Sequence, residues 1–360
     1  MLVASDNYRK EATCVWQGAQ TPTTVSGYKN DRLVVSTISQ NLGGCGGART
    51  FADGVDYAGC IPNPVNRTPN IEFEELNLPI LYTFHHLQRD SAGPGRFRGG
   101  MTAEYGITAH GAKDDKVDLI LYCTGTEFTR CLGFNGGLPG NNTDFGLVQD
   151  ENVYENLKND GFPRGEKSLD GTRVPVSWGT YELKSGDLLH GCFGGGGGYG
   201  DPLERDPQRV SLDVVNGLVS RKWADRAYGT ILTDDLQVDQ KATERHRENI
   251  RKTRLKAAKF NGESLSIQIS EDAPVYNLSE ELRAIREKNG KTYIQCTKSG
   301  FILCPIDQNW KEHCALSKVP LSDAGPRRSN SGRFEMRLFM CPQTGQLLDV
   351  EVAQPDDPLL

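Results

Sequence analysis

The sequence lacks the features that would direct the protein to a membrane or to nucleic acid. No stretch approaches the roughly 18 consecutive apolar residues that a membrane-spanning helix needs. The first ten residues are polar and so lack the apolar segment of a secretory signal. The net charge of −6 provides no general basic surface for nucleic acid. We therefore expect a cytoplasmic protein that binds neither a membrane nor nucleic acid.

The catalytic signatures of several enzyme classes are also missing. The sequence has no Gly-x-Ser-x-Gly nucleophile elbow and no His-Glu-x-x-His zinc motif. The glycine run at residues 194–198 lacks the Gly-Lys-Ser/Thr ending of a P-loop, and no βαβ pattern surrounds it. The bare amides of such a run could bind a phosphate. We favour the alternative, a close-packed turn in which side chains do not fit.

Glycine is abundant, with 40 occurrences among 360 residues. The glycines are clustered rather than periodic, which indicates tight turns and close backbone approaches instead of collagen. Short β-branched runs lie between the clusters, and they predict strands. These are residues 33–38, residues 102–108 with one face in water, and the more buried residues 117–123. The fold class is therefore predicted to be α+β, with a glycine-rich, β-dominated body.

Helical signals begin after residue 200. Asp206 can cap a helix whose first residue is Pro207, and the spacing of Val210, Val214 and Leu218 places them on one face. Ser220 can cap a second helix, so the two form a helical hairpin. Further elements are predicted downstream: a basic helix over 241–259 that is solvated or contacts a subunit, a strand over 264–269, and a helix over 280–288 capped by Ser279.

Ten cysteines occur, and the chain is large without a secretory signal, so reduced thiols are expected. Two terminal segments, Cys-Thr-Lys-Ser-Gly from Cys296 and Cys-Pro-Gln-Thr-Gly from Cys341, have the form of zinc knuckles. The second cysteine of each knuckle is replaced, by Ser299 and Thr344, and hydroxyls are poor zinc ligands beside thiolates. Cys304, Cys314 or His313 could complete the site; otherwise the fold persists without metal. The predicted structural zinc ligands are Cys296, Cys304, Cys314 and Cys341.

The histidines give no complete site. His85 and His86 are neighbours in a predicted strand, so their imidazoles point to opposite faces and cannot chelate one metal as a pair. His110 is isolated. We favour a structural or surface role for all four; His190 flanks the glycine run and so has the best claim of the four to line a cleft.

Several glycine-rich stretches together resemble the C-terminal half of the hydantoinase B/5-oxoprolinase family. They are Gly-Gly-Cys-Gly-Gly-Ala-Arg at 43–49, Asp-Gly-Val-Asp at 53–56, Arg-Asp-Ser-Ala-Gly-Pro-Gly-Arg-Phe-Arg-Gly-Gly at 89–100, Gly-Gly-Gly-Gly-Tyr-Gly-Asp-Pro-Leu-Glu-Arg-Asp-Pro at 195–207 and Asn-Gly-Leu-Val-Ser at 216–220. Residues 290–360 resemble the small subunit of acetone carboxylase through the two knuckles, Asn-Trp-Lys at 309–311 and Leu-Leu-Asp-Val-Glu at 347–351. We accordingly expect a hydantoinase B-like half at 1–260, a linker with a short helix at 261–289, and a small β-rich, zinc-ribbon-like module at 290–360.

The resemblance implies a subunit of an ATP-dependent ketone carboxylase, a ligase complex that converts a ketone and bicarbonate to a 3-oxo acid. It implies a hydantoinase A-like partner that binds ATP, a divalent metal in partner subunits, and a hydantoinase B-like N-terminal half on another chain. The chain alone is then not expected to be active. Two alternatives are an ATP-dependent cyclic amide hydrolase of the hydantoinase or oxoprolinase type and a noncatalytic assembly subunit. No catalytic residue follows from the resemblance; Arg96 and Arg98 are expected to pair with buried carboxylates or with an anion.

Overall fold

The computed structural model describes residues 5, 7–16, 23–38, 44–57, 70–159, 161, 163–165, 168–260, 262–270, 275–328 and 332–359. Gly43 of the first glycine-rich stretch and Cys60, one of the ten cysteines, lie outside these residues. Asn261 and residues 271–274 of the predicted linker also lie outside them. The described part combines several antiparallel sheets with a smaller number of helices. The predicted α+β fold class is confirmed.

The body consists of two antiparallel sheets. Its strands are β1 (Thr23–Lys29), β2 (Arg32–Thr37), β3 (Ile80–Leu87), β4 (Ala103–Ala109), β5 (Lys116–Tyr122), β6 (Asp144–Gln149), β7 (Thr172–Pro175), β8 (Trp178–Lys184) and β9 (Leu188–Cys192). One sheet has the order β2-β1-β5-β8, and the other has the order β3-β4-β9-β6-β7. Two short helices accompany them, α1 (Ile71–Asn77) and α2 (Val153–Asn159).

The main hydrophobic core lies between these two sheets. Leu119 of β5 and Leu183 of β8 contribute from the first sheet, while Tyr105 of β4 and Phe145 of β6 contribute from the second. Each such side chain stabilises the fold by roughly 1.5–3 kcal/mol through burial. The strands predicted at 33–38 and 117–123 are confirmed as β2 and β5, although β5 alternates buried and exposed residues instead of being mostly buried.

The prediction that strand 102–108 has one face in water is wrong. All seven residues of β4 are buried, because the hydrophobic core covers one face and a polar cluster covers the other. Glu104 is the charged residue on this second face. A strand with a single acidic residue among small and apolar ones therefore indicated a buried polar contact here, not an exposed face.

The helical hairpin is confirmed as α3 (Pro207–Val215) and α4 (Arg221–Arg226). Asp206 accepts from the Gln208 amide and Ser220 from the Trp223 amide, so both predicted caps are present. Leu218 lies beyond the end of α3, and Val219 packs in the hairpin core in its place.

The predicted basic helix is confirmed as α5 (Gln240–Ala257). Part of its charge faces the body: Arg254 pairs with Asp201 at 3.2 Å, and Arg247 donates to the carbonyl oxygens of Arg205 and Tyr228. Within the described residues, no helix combines the length and the apolar character required to cross a bilayer.

The C-terminal part contains two further antiparallel sheets. Their strands are β10 (Tyr276–Asn277), β11 (Leu282–Arg286), β12 (Thr292–Cys296), β13 (Ile302–Pro305), β14 (Ala315–Val319), β15 (Glu335–Met340) and β16 (Leu347–Ala353). The first sheet has the order β10-β11-β12-β13, and the second has the order β14-β15-β16. Two strands thus begin inside the predicted linker; the division into domains and the zinc-ribbon character of the module stay predictions.

Two downstream secondary-structure predictions are wrong. The segment 280–288 contains strand β11 instead of a helix, because Leu282 and Ala284 turn into the core while the backbone pairs with β12. The Ser279 hydroxyl accepts from the amides of Glu281 and Leu282, which closes a turn before the strand. Residues 264–269 form no strand; only Ile269 makes an isolated bridge.

Candidate functional site

The glycine run lies at the centre of a bundle of loop segments, which we call the glycine core (residues 46–47, 93–100, 133–140 and 194–200). Residues 194–200 are all buried. A Cβ on Gly99 would lie 1.9 Å from the Gly196 carbonyl oxygen, and one on Gly137 would lie 1.9 Å from that of Gly198. The interpretation that side chains do not fit here is therefore confirmed.

The amides of residues 195–200 already have protein acceptors. The donors and acceptors are Gly195 to Asn141 Oδ1 at 2.6 Å, Gly196 to the Gly100 oxygen at 3.1 Å, Gly197 to the Val15 oxygen at 3.1 Å, Gly198 to the Leu138 oxygen at 3.0 Å, and Gly200 to the Phe134 oxygen at 3.0 Å. A phosphate cradle needs amides that point at the ligand. The run therefore serves packing rather than phosphate binding.

Arg98 pairs with two carboxylates, one half-buried and one buried. Its guanidinium contacts Asp56 at 2.8 Å and Asp213 at 3.3 Å. Arg205 joins the same network, which we call the Arg98–Arg205 network, through Asp53 at 2.7 Å and Asp213 at 2.8 Å. This network ties three of the glycine-rich stretches to α3. Arg96 contacts Glu280 of the C-terminal part at 2.6 Å.

The cysteines in the described residues are free and buried. The four predicted zinc ligands belong to one apolar cluster with Leu303 and Phe339. Cys304 and Cys314 turn their thiols to main-chain oxygens of Gln308 and Trp310. Among the residues that the structure describes, no group of three or more His, Cys, Asp or Glu is arranged to hold a metal ion. Zinc binding by these four cysteines stays a prediction.

Cys296 and Cys341 nevertheless meet as a thiol pair. A hydrogen bond with Cys296, together with Ser299 and Thr344, lowers the pKa of Cys341 to about 5 despite burial. The same contact with Cys341 and the burial raise the pKa of Cys296 far above its usual range. The Ser299 hydroxyl lies 3.2 Å from the Cys341 sulfur. The two knuckle positions are thus brought together, with the hydroxyls of Ser299 and Thr344 beside the Cys341 sulfur.

A second polar cluster covers the outer face of the five-stranded sheet. We call it the Glu104 cluster; its members are His86, Glu104, Asp144, Arg173, His190 and Arg327. Glu104 lies 3.1 Å from His86 Nε2, 3.2 Å from His190 Nε2 and 3.2 Å from Arg327 Nη2. Strands β3, β4 and β9 bring His86, Glu104 and His190 together, because His86 pairs with Glu104 in register and β9 lies on the other side of β4.

The Glu104 carboxylate carries a stable negative charge. Burial opposes its ionisation, but hydrogen bonds from His190 and His86 and the charge of Arg327 lower its pKa to about 2. His190 is fully buried, so the expectation that it lines a cleft is wrong. His86 is the accessible imidazole of the cluster, with 42% of its side chain exposed.

The remaining predicted histidines lie apart from the Glu104 cluster. His85 points to the other face of β3 and makes an edge contact with the Tyr57 ring, as the alternation of a strand requires. Burial, and then the neighbouring His86, lower the pKa of His85. His110 hydrogen-bonds the Tyr154 hydroxyl at 2.9 Å at the surface.

A cavity of about 420 Å³ adjoins the Glu104 cluster, and we call it the Thr143 cavity. It is lined by Thr126, Asn142, Thr143, Asp144, Phe145, Pro175, Val176, Ser177, Arg327 and Arg328. Asp144 is neutralised by Arg173 at 2.6 Å and lies 3.9 Å from Arg327. The Asn142 amide donates to the Arg327 carbonyl at 2.9 Å, so the C-terminal part forms one wall. This is a pocket with a few convergent polar groups, the usual form of a small-molecule site.

The sequence singled out His86 and His190 of this site but not its charged residues. Glu104, Asp144 and Arg327 are separated by 40 to 223 positions; the sheet brings Glu104 and Asp144 together, and Arg327 reaches them from a loop of the C-terminal part. Two signals were present in the sequence. One is an acidic residue inside the otherwise uncharged strand β4, and the other is a pair of arginines that follows Gly-Pro at 325–326.

The sequence matches the family described as hydantoinase B/oxoprolinase over residues 3–202. The chain is 28% identical over 232 residues to the acetone carboxylase alpha subunit of Xanthobacter autotrophicus, covering 58% of this chain and 29% of that protein. It is 28% identical over 195 residues to the acetophenone carboxylase delta subunit of Aromatoleum aromaticum, covering 51% and 28%. It is 30% identical over 223 residues to the caprolactamase subunit beta of Pseudomonas jessenii, covering 61% and 34%.

The fold is similar to that of two solved proteins. Nucleotide-free acetone carboxylase aligns with a TM-score of 0.60 and 25% identity, covering 67% of this chain and 34% of that chain. ATP-dependent caprolactamase from Pseudomonas jessenii aligns with a TM-score of 0.52 and 24% identity, covering 67% and 39%, which shows a shared fold. The chain spans about a third or less of the length of the curated relatives described above.

Proposed function

Because the chain belongs to the hydantoinase B/oxoprolinase family, we propose that it is a subunit of an ATP-dependent ketone carboxylase complex. The complex would join a ketone to bicarbonate and give a 3-oxo acid. The observation that carries this proposal is the fold shared with acetone carboxylase over two thirds of the chain. Similarity to subunits of both acetone and acetophenone carboxylases supports it.

The partners in this proposal are a hydantoinase A-like subunit, which binds ATP, and a hydantoinase B-like N-terminal half. ATP and a divalent metal belong to those partners. The Arg98–Arg205 network and the glycine core give this chain a rigid frame, and the Glu104 cluster would form part of the active-site cleft.

His86 is the side chain in the cluster best suited to move a proton. Its imidazole is partly exposed, and its Nε2 lies 3.1 Å from Glu104 Oε1. An ionised carboxylate favours the tautomer with the proton on Nε2, which leaves Nδ1 as the acceptor. Glu104 would also stabilise the imidazolium after proton uptake, as a positioned base requires.

The proposal is tested by purifying the chain with the proteins that assemble with it. We expect ATP hydrolysis that depends on both a ketone and bicarbonate, and incorporation of 13C-labelled bicarbonate into a 3-oxo acid. His86→Asn should lower kcat by about 100-fold, the contribution of a general base. His110→Asn is the matched control, because His110 lies at the surface and bonds only Tyr154 among the contacts described. Activity without bicarbonate would contradict carboxylation.

A second candidate function is that of an ATP-dependent cyclic amide hydrolase. The 30% identity to a caprolactamase subunit favours it. The same purified complex would then open a lactam, a hydantoin or 5-oxoproline with water and would ignore bicarbonate. Product analysis with both substrate classes distinguishes the two reactions.

A third candidate is a noncatalytic assembly subunit. The described family stretches mostly make packing contacts and buried ion pairs, which favours this role. A truncation that removes both C-terminal sheets has to begin before Tyr276, because β10 and β11 pair with the downstream strands. If the truncation reduces the amount of complex but leaves the turnover of each remaining complex unchanged, the result would support scaffolding. If the complex still forms but its turnover is lost, the result would argue against scaffolding.

A further inference from the structure

A second pocket adjoins the Glu104 cluster, and we call it the His86 pocket. It is open to solvent and has a volume of about 460 Å³. It is lined by Thr83, Phe84, His85, His86, Pro163 and Arg164. His86 belongs to the Glu104 cluster as well, and 42% of its side chain is exposed. The pocket therefore gives a solute access to the imidazole that the proposed function uses for proton transfer.

The turn that carries Arg164 is fixed against the pair of His86 and Glu104. The Arg164 amide donates to Ser168 Oγ at 2.7 Å, and this hydroxyl donates to the Gly165 oxygen at 2.8 Å. A Cβ on Gly165 would lie 2.9 Å from Glu104 Oε1 and 3.2 Å from His86 Nε2, and its φ of +116° favours glycine. The backbone next to Arg164 thus contacts the pair directly, which places Arg164 beside His86.

Arg164 offers a guanidinium that no protein group occupies. Its side chain is exposed, and within the described residues its guanidinium makes no ion pair and no hydrogen bond. By contrast, Arg173 is paired with Asp144, and Arg327 is paired with Glu104. The donors of Arg164 are therefore accessible to a ligand, and a guanidinium fork matches two oxygens of an oxyanion.

His86 supplies the complementary group, a hydrogen-bond acceptor. Its Nε2 faces Glu104 at 3.1 Å, whereas its Nδ1 makes no hydrogen bond in the part of the chain that the structure describes. With the proton on Nε2, Nδ1 can accept from a hydroxyl of a ligand. The Phe84 ring makes an edge contact with the imidazole at 5.6 Å between centroids, which helps to hold its orientation.

A small oxyanion that carries a hydroxyl matches both groups. In bicarbonate two oxygens share the negative charge and the third carries a proton. The charged oxygens suit the guanidinium, and the hydroxyl suits a nitrogen acceptor. An ordinary carboxylate has no proton to donate to Nδ1, and a ketone has no charge for Arg164.

We propose that the His86 pocket binds bicarbonate, with Arg164 on the two charged oxygens and His86 Nδ1 on the hydroxyl. This inference rests on the proposed function, in which bicarbonate is a substrate, and it assigns that substrate to residues of this chain. Arg164 is then the residue that gives specificity for the anion, and the sequence analysis did not single it out.

The first test is a titration of the full-length chain, labelled with 15N in its histidine rings, at pH 8 and constant ionic strength. The Nδ1 signal of His86, assigned by its loss in His86→Asn, should shift on addition of bicarbonate with a Kd of about 1 mM. Formate has the same two oxygens without the hydroxyl and should bind about tenfold more weakly. Inorganic phosphate is the third probe. Binding of formate or of phosphate as tight as that of bicarbonate would overturn the assignment.

Arg164→Gln removes the charge from an exposed side chain and should raise the Kd for bicarbonate at least about tenfold. Arg164→Lys restores the charge without the fork and should recover part of the affinity. Arg245→Gln is the matched control, because Arg245 is exposed, has no carboxylate partner within the described residues and does not line the pocket. Equal bicarbonate affinity in Arg164→Gln and Arg245→Gln would refute the site.

The purified complex gives a second readout. Arg164→Gln should raise the KM for bicarbonate about tenfold and leave the KM for the ketone unchanged, because the guanidinium contacts only the anion. A complex that carboxylates a ketone with the same KM for bicarbonate in wild type and Arg164→Gln would refute only the site. A chain that binds bicarbonate through Arg164, in a complex that opens a lactam without bicarbonate, would refute only the proposed function.

Discussion

Replacing Arg205 with methionine tests how strongly the Arg98–Arg205 network holds the body together. The Arg205 side chain is 1% exposed and donates to both oxygens of Asp53, at 2.7 and 2.8 Å, and to Asp213 at 2.8 Å. Methionine fills a similar space without the charge. Asp53, Asp56 and Asp213 would then share Arg98 as their only buried guanidinium among the described contacts.

We expect the variant to lose about 3–5 kcal/mol in the free energy of unfolding at pH 7, the typical effect of removing one partner from a buried ion pair. The loss should depend on pH in a defined direction. Burial alone would raise the pKa of Asp53, but the hydrogen bond and charge of Arg205 lower it overall. A carboxyl with a lowered pKa contributes its stabilisation above its unfolded value of about 3.9 and loses it as the pH falls through the folded value.

Equilibrium urea denaturation at pH 7 and at pH 3.5 measures both effects. The difference in free energy of unfolding between wild type and Arg205→Met should reach about 3–5 kcal/mol at pH 7 and be smaller at pH 3.5. Arg96→Met is the control, because Arg96 is more exposed and pairs with one carboxylate, Glu280; its loss should be about 1 kcal/mol. If Arg205→Met lies within about 1 kcal/mol of wild type at pH 7, the network does not stabilise the body as argued. Arg205→Lys, which keeps the charge, serves if the methionine variant does not fold.

Three further predictions concern other parts of the molecule. Gly99→Ala should lower the free energy of unfolding by at least about 3 kcal/mol, because its Cβ would overlap the Gly196 oxygen. Gly111 has φ +63° and open space around it, so Gly111→Ala should lower the free energy of unfolding by about 1 kcal/mol. Equal losses in thermal unfolding would refute the close packing of the glycine core. Burial raises the pKa of Glu281 to about 7 and outweighs the opposing charge of Lys298 at 3.5 Å. The neutral Glu281 carboxyl therefore contributes its stabilisation below about pH 4.3, and this contribution disappears as the pH rises through 7. The free energy of unfolding of Glu281→Gln should therefore exceed that of wild type by up to about 3 kcal/mol at pH 8 but not at pH 4. If the variant and wild type show the same dependence of stability on pH, Glu281 is not a buried neutral carboxyl. Elemental analysis of chain purified without chelators tests the zinc prediction: one zinc per molecule that Cys341→Ser removes would confirm it, and well under one zinc per molecule would contradict it.

Local signals in the sequence were enough to predict much of the secondary structure. Strands β2 and β5 and the hairpin α3–α4 follow from alternation, caps and spacing, which act over a few residues. The helix predicted at 280–288 failed because the pairing of β11 with β12 decides that segment, and local helix propensity does not report such pairing.

The candidate site was beyond the reach of the sequence for a related reason. His86 and Glu104 become neighbours through the register of β3 and β4, and Arg327 reaches Glu104 from the far end of the chain. Periodicity says which face a residue occupies, but it does not say which strand lies beside it. The two knuckle segments meet at Ser299 and Cys341, whereas the thiols of Cys304 and Cys314 turn towards main-chain oxygens, an orientation that spacing in the sequence does not report.

The glycine core has a consequence for the rate at which backbone amides exchange with solvent. Its amides belong to no regular helix or strand around residues 194–198, yet they donate to interior oxygens and are shielded from water. Deuterium uptake should therefore be as slow in this irregular segment as in the central strands, since exchange follows opening of buried hydrogen bonds and not the type of secondary structure. A protection map of this molecule would therefore show a stretch with the composition of a loop protected as strongly as the central strands.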